Sequence, residues 1–166
     1  RRQRQMCIRD RPTCFEDIIA AISLYRPGPM ESIPRYIQGK QNPSSIHYET
    51  EKLRPILDVT YGCMVYQEQV QQVFRELAGY SLGQADVIRR AMSKKKHAVI
   101  DAERVAFVHG DESRGIDGAV KRGITEEIAN SIYDESLDFA SYAFNKSHAA
   151  CYAYVAFQTA YLKCHY

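Results

Sequence analysis

Apolar residues in this chain recur three and four positions apart and nowhere alternate over a useful length, which points to helices throughout. The clearest case is Val70, Val73, Phe74 and Leu77, one face of a helix over residues 66–78, with Gly79 as its stop. Thr13-Cys14-Phe15-Glu16 fits a capping box ahead of Ile18, Ile19, Ile22 and Leu24. Pro27-Gly28-Pro29 must end that helix, because proline removes a donor and restricts the residue before it. A shorter helix starts near Ser32, a loop follows at residues 41–45, and residues 49–57 form a brief helical stretch interrupted by Pro55. Ser81 opens a helix carrying Leu82, Ala85, Val87 and Ile88, and residues 97–108 continue helically before a Gly/Asp/Glu-rich loop. Thr125-Glu126-Glu127 puts a cap and two acids at the start of a helix running to about Ala140. Ser147 can cap the last helix, which is apolar nearly all round and is expected to be the buried spine. The fold class is all-α, an irregular multi-helix domain.

The first eleven residues stand apart. They carry five arginines against one aspartate and have no hydrophobic period, no starting Met and no signal-peptide core. They can be encoded by a transposon-based sequencing adapter read in frame, so we expect residues 1–11 not to be native, although five arginines also suit a basic nucleic-acid arm. Without them the formal charge of +2 becomes −2 over residues 12–166. A polyanion partner must therefore be met by local charge rather than by net charge. The last residues stop inside a helical pattern without Gly, Asn or Pro, so residues 12–166 read as a fragment cut at both ends. Hydrophobic content of 45% and charged content of 25% suit a globular domain with a real core. Cys14, Cys63, Cys151 and Cys164 have no paired spacing and read as reduced thiols, mostly core, in a cytoplasmic protein. The apolar run at residues 149–157 is too short to span a bilayer.

Two stretches carry chemistry. Tyr142-Ala143-Phe144-Asn145-Lys146-Ser147-His148 sets an aromatic face, an amide, an ammonium and an imidazole at a helix start, where free N–H groups favour anions. The same stretch could be a plain capped helix with Tyr142 as a core aromatic. Arg89-Arg90-Ala91-Met92-Ser93-Lys94-Lys95-Lys96 holds five cations and no acid. A solvated helix C-terminus explains the lysines, while two arginines on the preceding turn suit bidentate phosphate contact. Residues 111–138 hold eight acids against three bases, so charge is expected to be dipolar.

With Leu24-Tyr25-Arg26-Pro27-Gly28-Pro29 and Tyr66-Gln67-Glu68-Gln69-Val70, these stretches occur in an order that resembles the fingers region of the bacterial replicative DNA polymerase III alpha subunits, the C-family polymerases. Departures are residues 33–36, Ser93 where glycine is usual, and residues 109–118, which read like an insertion. The resemblance implies that Arg89 and Arg90 grip the triphosphate of an incoming deoxynucleoside triphosphate. It implies that Asn145, Lys146 and His148 approach it and that Tyr142 stacks on the nascent base pair. Arg26, Lys94, Lys95 and Lys96 are further candidates for nucleotide or DNA phosphate, Arg26 equally being part of an architectural turn. Gln67, Glu68 and Gln69 read as a polar helix face. The parent would synthesise DNA 5′ to 3′ on a primer-template, with Mg²⁺ held by carboxylates outside this segment and with a sliding clamp and other replicase subunits as partners. The fragment alone would bind no metal and catalyse nothing. The alternative is a non-enzymatic helical module that holds DNA backbone through residues 89–96.

Overall fold

A computed structural model of the chain describes residues 12–94 and 97–166. The leader at residues 1–11 and the cations Lys95 and Lys96 lie outside the described residues. Eight α-helices and no strands occur among the described residues. They are α1 (Phe15–Leu24), α2 (Ile33–Gln41), α3 (Arg54–Leu57), α4 (Gln67–Ala78), α5 (Leu82–Ser93), α6 (His97–His109), α7 (Glu126–Ala140) and α8 (Lys146–His165). No helix among them is long and apolar enough to cross a membrane.

Most caps stand where the sequence put them. Ser81 accepts from the Gln84 N–H while the Gln84 side chain reaches back to the Ser81 N–H at 2.8 Å. Thr125 caps α7, and Gly79 closes α4 in the left-handed region at φ 84°. At α1 the box is one residue later than expected: Cys14 is the cap position, and Asp17 accepts from the N–H groups of Thr13 at 2.7 Å and Cys14 at 3.2 Å. Pro55 does not interrupt a helix but opens α3, where its missing N–H costs nothing.

The apolar faces meet in two buried clusters. Helices α3 to α7 surround Phe74, whose ring meets those of Phe107 at 4.8 Å, Tyr80 at 5.2 Å and Tyr133 at 5.9 Å. The second cluster joins α1, Tyr36 of α2 and the Cys63, Val65 and Tyr66 segment to Ala149 and Ala153 of α8.

The expected buried spine is corrected here. Of α8 only Ala149 and Ala153 are buried, while Tyr152, Tyr154, Val155, Phe157, Tyr161 and Leu162 are exposed. The reason is length: α8 has twenty residues and packs against α1, which has ten, about 30 Å of helix against about 15 Å. The contact of Phe15 with Phe157 at 6.4 Å links the two, and Tyr161 and Leu162 beyond it are exposed. An apolar pattern all round a helix thus reported composition, not burial.

The cysteines also depart from expectation. Cys63 is buried, but Cys14, Cys151 and Cys164 are exposed; all four are free thiols. Burial pushes the Cys63 thiol up to about 11, the nearby Arg35 opposing the rise. Native chain treated with iodoacetamide at pH 8 should therefore be alkylated at Cys14, Cys151 and Cys164 and spared at Cys63. Peptide mass spectrometry reads this directly, and equal labelling at Cys63 would contradict its placement.

Candidate functional site

Tyr66-Gln67-Glu68-Gln69 at the start of α4 is the hub that places the Tyr142 to His148 stretch. Gln69 is 3% exposed, and every polar atom of its side chain is used. Its carbonyl oxygen accepts from the N–H groups of Val65 at 2.8 Å and Tyr66 at 2.9 Å. Its amide donates to the Ile56 carbonyl and to Thr60 Oγ1. This network fixes the backbone leading into α4, since an unpaired amide in that position would be costly. The Gln67 N–H donates to the Phe144 carbonyl at 2.9 Å and its side-chain amide to the Ala143 carbonyl at 3.0 Å. The Phe144 N–H returns a longer bond to Val65, giving a one-residue parallel bridge. Sequence reading took Gln67, Glu68 and Gln69 for a polar helix face; all three bond to neighbouring segments, and Gln69 is buried.

Glu68 completes the junction. Its carboxylate accepts from Asn145 Nδ2 at 2.9 Å and from the Lys146 N–H at 3.1 and 3.2 Å. Asn145, not Ser147, is the cap of α8, its Oδ1 accepting from the His148 N–H at 2.9 Å. Two of the N–H groups that a phosphate could have used are therefore taken by protein oxygens. The Lys146 ammonium lies 5.3 Å from the Tyr66 ring centroid and 3.2 Å from Glu16. His148 is left exposed, its ring between those of Phe144 at 5.5 Å and Tyr152 at 4.7 Å.

The Arg-Pro-Gly-Pro turn grips the same stretch from the other side. Arg26 donates to the Ser23 carbonyl and, at 2.8 Å, to the Tyr142 carbonyl, and its guanidinium lies 4.3 Å from the Phe144 ring centroid. Burial holds its pKa below the ordinary arginine value. Gly28 has φ 99°, and a Cβ there would stand 2.5 Å from the Tyr142 ring, so glycine is what lets the turn accept that ring. Tyr142 remains 48% exposed and lines a cavity of about 230 Å³ with Gly28, Pro29, Arg35, Cys63 and Glu135. It is thus neither a core aromatic nor free of the protein.

Arg89 and Arg90 form a second group. Both pair with Asp86, Arg89 Nη2 at 2.9 Å and Arg90 Nε at 2.8 Å. The hydrogen bond from Arg89 is foremost in lowering the pKa of Asp86. Gln71 donates to the same carboxylate at 2.9 Å. The Arg89 side chain is largely buried, whereas that of Arg90 is 67% exposed, and Lys94 is exposed at the end of α5. Glu68 and Gln71 are one turn apart on α4 and so share a face. Along that face Glu68 holds Asn145 and Lys146, and Gln71 holds the carboxylate that carries the two arginines. The arrangement offers cations and an imidazole beside α4, with the half-open Tyr142 ring by Gly28 at the start of the same stretch, which suits a polyanion bearing a flat ring system. Among the described residues no group of three or more His, Cys, Asp or Glu side chains could hold a metal ion.

Residues 1–115 match the family model described as the bacterial DNA polymerase III alpha subunit finger domain. The chain is similar to the DNA polymerase III subunit alpha of Halalkalibacterium halodurans, 50% identical over 156 residues. It is 46% identical over 163 residues to that of Bacillus subtilis and 50% over 161 residues to that of Thermus aquaticus. These alignments cover 94%, 98% and 94% of this chain but only 13%, 14% and 12% of the relatives, respectively.

Proposed function

Because the chain belongs to the bacterial DNA polymerase III alpha subunit family, matching its finger domain, we propose that the face along α4 binds the incoming deoxynucleoside triphosphate of a template-directed DNA polymerase. The observation that carries this reading is the shared face itself, with Arg89 and Arg90 at one end and Asn145, Lys146 and the Asn145-capped His148 at the other. Tyr142 stands just before them in sequence, against Gly28. Phosphoryl transfer is mainly positioning and neutralisation of charge, so several cations held by a rigid helix suit it. Tyr142 supplies a base-tolerant stacking surface, leaving selection to the template. The exposed Arg90, Lys94 and His148 are the side chains open to phosphate, with Arg26 setting the stretch from behind.

The magnesium ions implied by the resemblance do not fit the described residues, which hold no clustered ligand set. On this reading, carboxylates outside this segment would hold the metal ions. Primer-template DNA, a sliding clamp and other replicase subunits are the partners this reading implies for the parent, in the cytoplasm.

The test is Arg90→Ala in a full-length alpha subunit carrying this segment. Loss of a charge-assisted contact is worth roughly 1.5–3 kcal/mol, so kcat/KM for all four deoxynucleoside triphosphates should fall about tenfold or more, and alike. Steady-state kinetics unchanged for every nucleotide would remove Arg90 from the site. A loss confined to primer-template affinity would instead favour DNA-backbone binding by this helix end.

A further inference from the structure

Glu68 is a half-buried carboxylate where two helices begin. It sits in the first turn of α4, and it also accepts the first N–H of α8, that of Lys146. Each helix dipole favours a negative charge at that place. The second carboxylate contact, from Asn145 Nδ2, holds the residue whose Oδ1 caps the His148 N–H. The path from Glu68 to His148 is therefore two hydrogen bonds through a single side chain. Gln67 and Arg26 fix the stretch just before it, at Ala143 and Tyr142.

Resting on the nucleotide-site reading above, we propose that Glu68 is a positioning residue of that site. Its carboxylate, rather than a substrate phosphate, fills the backbone anion position at the start of α8. By doing so it fixes where Lys146 and His148 stand. A phosphate arriving on this face then meets side chains and not the helix end, and the helix end is held by the enzyme before substrate arrives. Preorganisation of this kind is lost when the support is removed even though no group touching substrate has changed.

The experiment is a double-mutant cycle in a full-length alpha subunit carrying this segment. Glu68→Gln keeps the size of the side chain and one acceptor but loses the charge that both N-termini favour. It should raise the KM for deoxynucleoside triphosphates about tenfold, the scale of one charge-assisted hydrogen bond. Primer-template affinity should stay at the wild-type value, and the KM effect should persist well below the Tm, which a merely architectural role would not produce. In a His148→Ala background the same change should have a smaller effect, the part that passes through Lys146, because one of the two groups it positions is gone. If Glu68→Gln lowers the Tm, Glu68→Asp, which keeps the charge and shortens the reach, carries the cycle with the same expectation. A KM effect of equal size in both backgrounds overturns the positioning role while leaving the nucleotide site standing. His148→Ala and Arg90→Ala both leaving KM unchanged overturns the site reading, and this inference falls with it.

Discussion

Asp17→Ala is expected to lower the unfolding free energy by about 3–5 kcal/mol at neutral pH, because it breaks one side of a buried ion pair. Asp17 is 4% exposed, and the Lys40 ammonium lies 2.6 Å from it with its own side chain only 13% exposed. The same carboxylate accepts from Tyr36 at 3.1 Å, from Tyr61 at 3.4 Å, and from the N–H groups of Thr13 and Cys14. It therefore ties the start of α1 to α2 and to the turn before Cys63. Burial alone would raise its pKa, but Lys40 and the two N–H groups outweigh burial and hold it well below the usual carboxylate range. A depressed folded-state pKa adds stability that is complete above the unfolded value near 4 and is lost as pH falls toward the folded one. Urea unfolding at pH 7 and pH 3 measures both effects. Wild-type stability should fall between those values, and the variant should fall less. A variant as stable as wild type at pH 7 would show that the cluster is not a support of α1.

Phe74→Ala should cost a similar amount, about 3–5 kcal/mol, by a different route. Phe74 is 1% exposed and touches the rings of Tyr80, Phe107 and Tyr133, which come from the α4–α5 turn, α6 and α7. No smaller side chain at this point can keep three rings from three elements in contact, so the substitution leaves a cavity where α4, α6 and α7 meet. Denaturant unfolding should show a lower midpoint with unchanged slope, and Phe74→Leu should lose less than Phe74→Ala. If the alanine variant loses under 1 kcal/mol, Phe74 is not the centre of this core. Because α4 also carries Glu68 and Gln71, the variant tests whether the candidate site depends on the core beneath it.

The core was legible in the sequence where one helix face repeats. Val70, Val73, Phe74 and Leu77 are all buried as their spacing required. Gly79, Ser81 and Thr125 mark the helix ends that their side chains dictate. The motifs of the candidate site were also visible, but their connections were not. Gln69 lies four residues before Val73, on the buried side of α4, so its place in the stripe carried the signal that it is interior. Polarity hid that signal. Sequence reading put the cap of α8 at Ser147, whereas Asn145 holds it, secured by Glu68, a residue 77 positions away. Single-sequence pattern has no access to such a contact. The exposure of α8 was misread for the same reason: periodicity reports a helix's own composition, whereas burial depends on how long its neighbour is.

The bridge between Tyr66 and Phe144, with the Glu68 to Lys146 bond beside it, also bears on the order of assembly. Pairs such as α4 with α5 and α6 with α7 are joined by connections of three and sixteen residues, so their contacts close cheaply. Closing the arc of 78 residues between Glu68 and Lys146 in an unfolded chain would cost roughly 4 kcal/mol of entropy against a handful of hydrogen bonds. Once α4 and α7 have packed, only the few residues from Ala140 to Phe144 remain to be placed. Those bonds gain from joining surfaces already formed, so the α3–α7 body is the natural template onto which the Tyr142 to His148 stretch is fastened last. A segment held by a few hydrogen bonds opens more readily than a core helix. The groups proposed to meet the nucleotide are held by the molecule's clasp rather than by its foundation.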